Sequence, residues 1–253
     1  MKNRSIAFIP VRLSSSRLAN KQFKIIGDRP ILSWLIHCLK LSSQVDEIVI
    51  CVTEGESSSE LINLIKEENV ELFKYMGDEN DVVGRMASAA KTYKADICIL
   101  ASGDSPLIPT ESLDKLISSL KKHPEGGLST PSPWKGKELI HQSFIVARRQ
   151  LWEKADKLSR TAELREHQFP ILYSHPEKFS EFPTIYIQDD PLIYDIQHHL
   201  SVDTAVDLEF FRKVYRELKG SKKEFSFLNV LRLLQKKPQF KNINLRYQTA
   251  FKI

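Results

Sequence analysis

With 253 residues, 42% of them hydrophobic and 27% charged, the chain is long enough for a sizeable core and too apolar for wholesale disorder. No apolar run approaches the roughly 18 residues needed to span a bilayer. The first five residues are too short for a secretory signal, so a soluble cytoplasmic protein is expected. The net charge of +5 is uneven, because from residue 211 onward twelve Lys or Arg accompany two acidic residues. Such a tail permits contact with nucleic acid or anionic lipid, but no nucleic-acid motif accompanies it and nucleic-acid binding is not expected.

The first predicted strand, 6–11, runs into a loop that packs Arg12, Arg17 and Lys21 around Ser14, Ser15 and Ser16. A helix follows at 30–41, where the fixed φ of Pro30 suits a first turn. The alternation continues with strand 47–52, helix 59–68, strand 72–75 and helix 81–93, with Asp78 or Asn80 near the cap of that last helix. Strand 96–101 and helix 110–120 complete the regular part. Strands alternating with helices predict right-handed βαβ units and a mainly parallel sheet.

The middle is less regular. Turn-rich segments 123–127 and 130–136 separate short strands at 127–130 and 143–148. Helix 151–158, strand 182–187, helix 205–218 and a basic-faced helix over 225–234 follow. Insertions within one α/β domain, 1–253, explain this pattern better than two independent domains. Cys38, Cys51 and Cys98 sit in apolar segments with no CxxC pair, as small buried hydrophobes.

Three segments carry chemistry. In an open α/β sheet, ligands bind beyond the carboxyl ends of strands, so the loop after the first strand would lie at a site mouth. Its cations suit a polyphosphate, and its serine hydroxyls and amides supply donors; the alternative is a solvated basic turn. The second segment, Ser102-Gly103-Asp104-Ser105-Pro106, ends a buried strand. Its glycine allows close backbone approach, and Asp104 can hold Mg²⁺, unless it caps a turn or the next helix. In the third, Val202-Asp203-Thr204, Asp203 could complete a magnesium site, while Asp203 or Thr204 could equally cap the following helix, with Asp207 in its first turn. No GxxxxGK[ST] or GxGxxG occurs, which disfavours a P-loop kinase and a dinucleotide fold.

The order and spacing of these pieces over roughly residues 5–215 resemble the cytidylyltransferase family, in its SpsF-like spore-coat polysaccharide branch. That branch is related to the synthetases that activate acidic sugars such as Kdo and sialic acid with CMP. The anchors are Ile9-Pro10-Val11-Arg12 through Ser16-Arg17-Leu18 and Lys21, residues 27–32, and Asp81-Val82-Val83-Gly84-Arg85. Residues 103–108, Arg165-Glu166-His167 with 173–179, and 202–204 with Asp207-Leu208-Glu209 complete them.

The resemblance implies a Rossmann-like three-layer nucleotidyltransferase fold with an inserted irregular β/α region near 123–200 for acceptor and dimer contacts. It implies CTP as substrate, an anionic sugar acceptor, a Mg²⁺ cofactor and a homodimer. Carried over residue by residue, Arg12, Arg17, Lys21 and Asp104 take catalytic roles. Pro10, Ser14, Ser15, Ser16, Thr53, Arg85, Ser102 and Gly103 join them around the nucleotide, and Asp104 and Asp203 take the metal. The role of Arg165-Glu166-His167 divides between function and structure.

Departures from the family pattern stand at three places. Ala19-Asn20 replaces Pro-Gly before the loop lysine, where asparagine tolerates a left-handed backbone. Ala205-Val206 replaces Pro-Glu, and residues 141–145 lack an acidic residue often found near the acceptor. His141, His198 and His199 are candidate bases among which the sequence does not choose. A nucleotide-sugar-dependent glycosyltransferase, usually marked by Asp-x-Asp where this chain has one aspartate, and a non-catalytic nucleotide-binding protein are the alternatives.

Overall fold

A computed structural model describes residues 3–13, 17–135, 143–167, 169–196 and 198–245. In chain order these form β1 (Ser5–Pro10), β2 (Ile25–Ile26), β3 (Arg29–Pro30), α1 (Ile31–Lys40), β4 (Glu47–Thr53), α2 (Ser59–Glu67), β5 (Glu71–Tyr75) and α3 (Val82–Thr92). There follow β6 (Ile97–Ala101), α4 (Thr110–Lys122), β7 (Leu128–Pro131), β8 (Phe144–Arg148), α5 (Arg149–Leu158), α6 (Ala162–Glu166) and α7 (Pro170–Ser174). The last elements are β9 (Thr184–Ile187), α8 (Pro191–Asp195), α9 (Ala205–Gly220) and α10 (Phe227–Lys236).

Seven strands make one sheet in the order β5-β4-β1-β6-β8-β7-β9, while β2 and β3 form a separate small hairpin. β5, β4, β1 and β6 pair in parallel, β8 runs antiparallel to both β6 and β7, and β7 pairs in parallel with β9. The chain winds from β1 outward to β4 and β5, then crosses to the other side of β1 for β6. The loop after β1 therefore leaves the sheet where the strand order reverses, the place at which open α/β sheets leave a crevice.

Period-two burial separates the two faces of the sheet. Ala7 and Ile9 of β1, Ile50 and Val52 of β4, and Ile99 of β6 pack against α1, α2, α4, α9 and α10. Ile6 and Phe8, Val49 and Cys51, and Cys98 and Leu100 point to the opposite layer, which α3 and α5 cover. This is the expected three-layer arrangement, and all three cysteines are buried within it. On α4, Leu113, Leu116, Ile117 and Leu120 recur at helical spacing and are fully buried. Each such side chain contributes about 1.5–3 kcal/mol by leaving water.

Two predicted details are corrected. The cap of α3 is Asp81, whose Oδ1 accepts from the Gly84 amide at 2.8 Å, while Asp78 instead accepts from the Asn80 amide at 2.7 Å. α5 begins at Arg149, directly after β8, because the Arg148 backbone is already extended at the cap.

Candidate active site

The loop after β1 is folded back over the carboxyl ends of the parallel strands. Leu13 donates its amide to Glu56 Oε1 at 2.9 Å, and buried Gln22 donates to the Arg12 carbonyl at 2.6 Å. Arg12 itself reaches Asn80 Oδ1 at 2.5 Å. Asn20 has φ 51° and ψ 39°, so the left-handed turn expected where Ala19-Asn20 stands is present. That turn starts the short helical segment Lys21–Phe23 and aims Lys21 inward. Ser14, Ser15 and Ser16 lie outside the described residues.

Lys21, Asp104 and Asp203 meet. The Lys21 ammonium lies 2.8 Å from Asp104 Oδ2 and 3.3 Å from Asp203 Oδ1, with its side chain only 13% exposed. Arg17, on the open side, approaches Asp203 Oδ1 at 3.1 Å. Burial would depress the Lys21 pKa, but Asp104 and Asp203 outweigh it and raise the ammonium above the ordinary lysine value. Burial likewise works against the Asp203 anion, yet hydrogen bonding from His199 and the charges of Lys21 and Arg17 hold its pKa well below the usual carboxylate range.

The polypeptide fixes both carboxylates. β6 delivers Asp104 through a turn in which the Ser105 amide donates to the Ser102 carbonyl at 3.0 Å. Gly103 fits because a Cβ there would stand 3.3 Å from the Pro10 carbonyl oxygen, at the end of β1. Asp203 follows a segment joined to this turn by a bond from the Val202 amide to the Asp104 carbonyl at 2.9 Å. Thr204, not Asp203, caps α9, in a reciprocal box with Asp207. Asp203 is thereby left to face Lys21. Its second oxygen, Oδ2, accepts from Ser201 Oγ at 3.1 Å and lies 3.9 Å from His199 Nε2.

Among the remaining predicted residues, Pro10 ends β1, and Ser102 donates its amide to the Ser143 carbonyl at 2.8 Å. Thr53 ends β4 and donates its hydroxyl to Glu56 at 3.2 Å. Arg85 lies deeper. It is fully buried and donates to the carbonyls of Val11, Cys51 and Glu79, so it braces the ends of β1 and β4 from below.

Arg165 resolves toward structure. Its Nε and Nη2 each donate to Asp81 at 2.8 Å, and Nη2 also meets Asp156 at 2.6 Å. Tyr75 donates to the same Asp81 carboxylate at 2.7 Å. Gly84 makes room, since a Cβ would come within 2.6 Å of the Asp81, Tyr75 and Arg165 side-chain atoms. Of the candidate bases, His198 is buried and its pKa is pushed down to about 4 by that burial, His199 faces Asp203, and His141 lies outside the described residues.

Ser201 and Asp207 were not expected as site residues, and His199 was expected only as a candidate base. The Thr204-x-x-Asp207 spacing signals the capping box, whereas nothing local signals the Ser201 and His199 contacts with Asp203. Two hard carboxylate oxygens converging on one cation position match the donor chemistry that Mg²⁺ takes beside phosphate and water. In this structure the Lys21 ammonium sits between them. Among the described residues no helix is long and apolar enough to cross a membrane.

A family model described as cytidylyltransferase matches residues 6–240. The chain is 22% identical to the spore coat polysaccharide biosynthesis protein SpsF of Bacillus subtilis over 258 aligned residues, covering 93% of this chain and 96% of that one. It is 31% identical over 127 residues to a 3-deoxy-manno-octulosonate cytidylyltransferase of Pseudomonas syringae, covering 48% and 47% of the two chains. A solved cytidylyltransferase from Leptospira borgpetersenii superposes with a TM-score of 0.78 at 26% identity, covering 95% of this chain and 97% of that one.

Proposed function

The chain belongs to the cytidylyltransferase family of CTP-dependent nucleotidyltransferases, and from that premise we propose that it transfers CMP from CTP to an acidic sugar. Pyrophosphate is the second product, and the CMP-sugar serves surface polysaccharide or glycoconjugate synthesis. The observation that carries this reading is the convergence of Asp104 and Asp203 on Lys21 at the switch point of the sheet. Relatedness to SpsF and to a 3-deoxy-manno-octulosonate cytidylyltransferase supports a sugar acceptor.

In the reaction an acceptor hydroxyl oxygen bonds to the α-phosphorus, and the bond from that phosphorus to the oxygen bridging to the β-phosphate breaks. Pyrophosphate leaves with that oxygen, and the hydroxyl proton passes to solvent. Arg12, Arg17 and Lys21 bind the triphosphate and take up charge as pyrophosphate leaves, the electrostatic work that dominates such transfers. Asp104 and Asp203 would hold Mg²⁺, whose chemistry here is to orient the α-phosphate and neutralise its developing charge. Pro10, Thr53, Ser102 and Gly103 line the strand ends over which the nucleoside lies, while Arg85 acts from beneath by holding β1 and β4 together. Ser14, Ser15 and Ser16 supply further donors in the same loop.

The test is pyrophosphate release from CTP and Mg²⁺ against a panel of 2-keto acid sugars, with UTP and ATP as base controls. Release that requires both CTP and an anionic acceptor is expected. Consumption of a nucleotide-sugar donor, with no pyrophosphate formed from CTP, would instead identify a glycosyltransferase. CTP binding without turnover on any acceptor would identify a binding protein.

A further inference from the structure

We infer that Asn244 is a positioning residue for the Asp203 carboxylate, acting through Asp207. The inference rests on the reading of Asp203 as a metal-binding side chain. Asp207 is 6% exposed, and both of its oxygens are engaged. Oδ2 accepts from the Asp203 amide at 3.2 Å, from the Thr204 amide at 2.9 Å and from the Thr204 hydroxyl at 2.8 Å. Oδ1 accepts from Asn244 Nδ2 at 2.8 Å. The same carboxylate that closes the capping box of α9 thus also holds the backbone of Asp203.

A capping box needs only residues of its own helix terminus. Here the fourth bond arrives from 37 residues further along the chain, carried by the segment Pro238–Ile243 packed on α9 and α10. Asn244 is 1% exposed, so its amide meets Oδ1 shielded from bulk solvent. Without that donor, Oδ1 is a desolvated anionic oxygen lacking this partner, and the bonds at Oδ2 alone are left to fix the terminal torsion. A partial rotation, short of the half-turn that merely exchanges the two equivalent oxygens, would draw Oδ2 away from its three donors and loosen the turn that aims Asp203 at Lys21. The basic C-terminal region thereby contributes one neutral amide, that of Asn244, to the support of the site.

The experiment measures Mn²⁺ binding by electron paramagnetic resonance in the presence of CTP and without acceptor, using the full chain. Asn244→Ala should weaken Mn²⁺ binding five- to twentyfold and leave the circular dichroism spectrum unchanged. The reciprocal pair Asp207→Asn with Asn244→Asp keeps an oxygen facing the Asp203 and Thr204 amides and an amide facing residue 244, and should restore affinity to within twofold of the parent. Asp203→Asn serves as the reference for the underlying reading. Loss of Mn²⁺ binding in Asp203→Asn with parental affinity in Asn244→Ala would overturn the inference and leave that reading standing. Full Mn²⁺ affinity in Asp203→Asn would overturn the reading itself. If Asn244→Ala does not fold, the reciprocal pair decides alone, with persistent loss of affinity in the folded double variant counting against the inference.

Discussion

The backbone amide of Val202 donates to the backbone carbonyl of Asp104 at 2.9 Å. Main chain therefore sets the spacing of the two acidic segments, and neither carboxylate is needed to hold them together. Side-chain substitution at Asp104 can be read as chemistry, whereas at buried Asp203 it also removes an anion that stabilises the fold.

Asp104→Asn and Asp203→Asn should each lower kcat for pyrophosphate release on the order of 10²–10³-fold, as removal of one electrostatic partner does at other transition states. Unfolding midpoints should stay close to the parent for Asp104→Asn, whose side chain is 27% exposed. A folded variant with unchanged kcat would remove that residue from the metal assignment.

Lys21→Gln removes the cation between two carboxylates. The pair should then attract a divalent ion more strongly in the absence of nucleotide, because like charges left facing one another favour any cation that neutralises them. Direct titration with Mn²⁺ alone should show tighter binding than the parent, while the Kd for CTP rises about tenfold, equivalent to ~1.4 kcal/mol. Weaker Mn²⁺ binding in the variant would contradict this account of the resting site.

Arg165→Gln should cost stability and not catalysis. The substitution leaves Asp81, a helix cap with a side chain 14% exposed, without its bidentate partner. Loss of one member of a partly buried ion pair destabilises by about 2 kcal/mol, between the surface and fully buried cases. Urea unfolding should shift accordingly, with the KM for CTP within twofold of the parent.

Acid should destabilise the fold through His198. Its pKa is held at about 4 by burial, against 6.5 for the free side chain, so between those values the unfolded chain binds the extra proton. Stability is therefore full above pH 6.5 and falls as pH drops toward 4, by on the order of 3 kcal/mol for a shift of this size. Asp203, with its lowered pKa, adds a loss of the same sign only below the ordinary carboxylate range. Chemical denaturation across pH 4–7 should show the slope, and His198→Phe should flatten it.

The first hundred residues were legible because each layer leaves a local mark. β1, β4 and β6 are short apolar runs buried on both faces, and α1 and α2 carry their own spacing. Asn20 was legible for a similar reason, since few side chains tolerate its backbone. The direction of β8 was not, because an antiparallel strand buried on both faces reads like a parallel one. Arg85 and Arg165 look alike in sequence as arginines near a site. Only tertiary structure shows that one is spent on strand-end carbonyls and the other on Asp81 and Asp156. Asn244 left no local trace, because its partner is 37 residues away.

The site draws its two acidic side chains from distant parts of the chain, Asp104 just after β6 and Asp203 just before α9. Synthesis proceeds from the N-terminus, so β1, β4, β5 and β6 can assemble while Asp203 is still untranslated. At that stage the loop lysine has one carboxylate to face, and the cation position is half built. A chain ending before residue 203 would keep Arg12, Arg17 and Lys21 but lack Asp203, the second carboxylate proposed to hold the metal. Under the proposed assignment, the order of synthesis makes the second carboxylate the last part of the cation position to arrive.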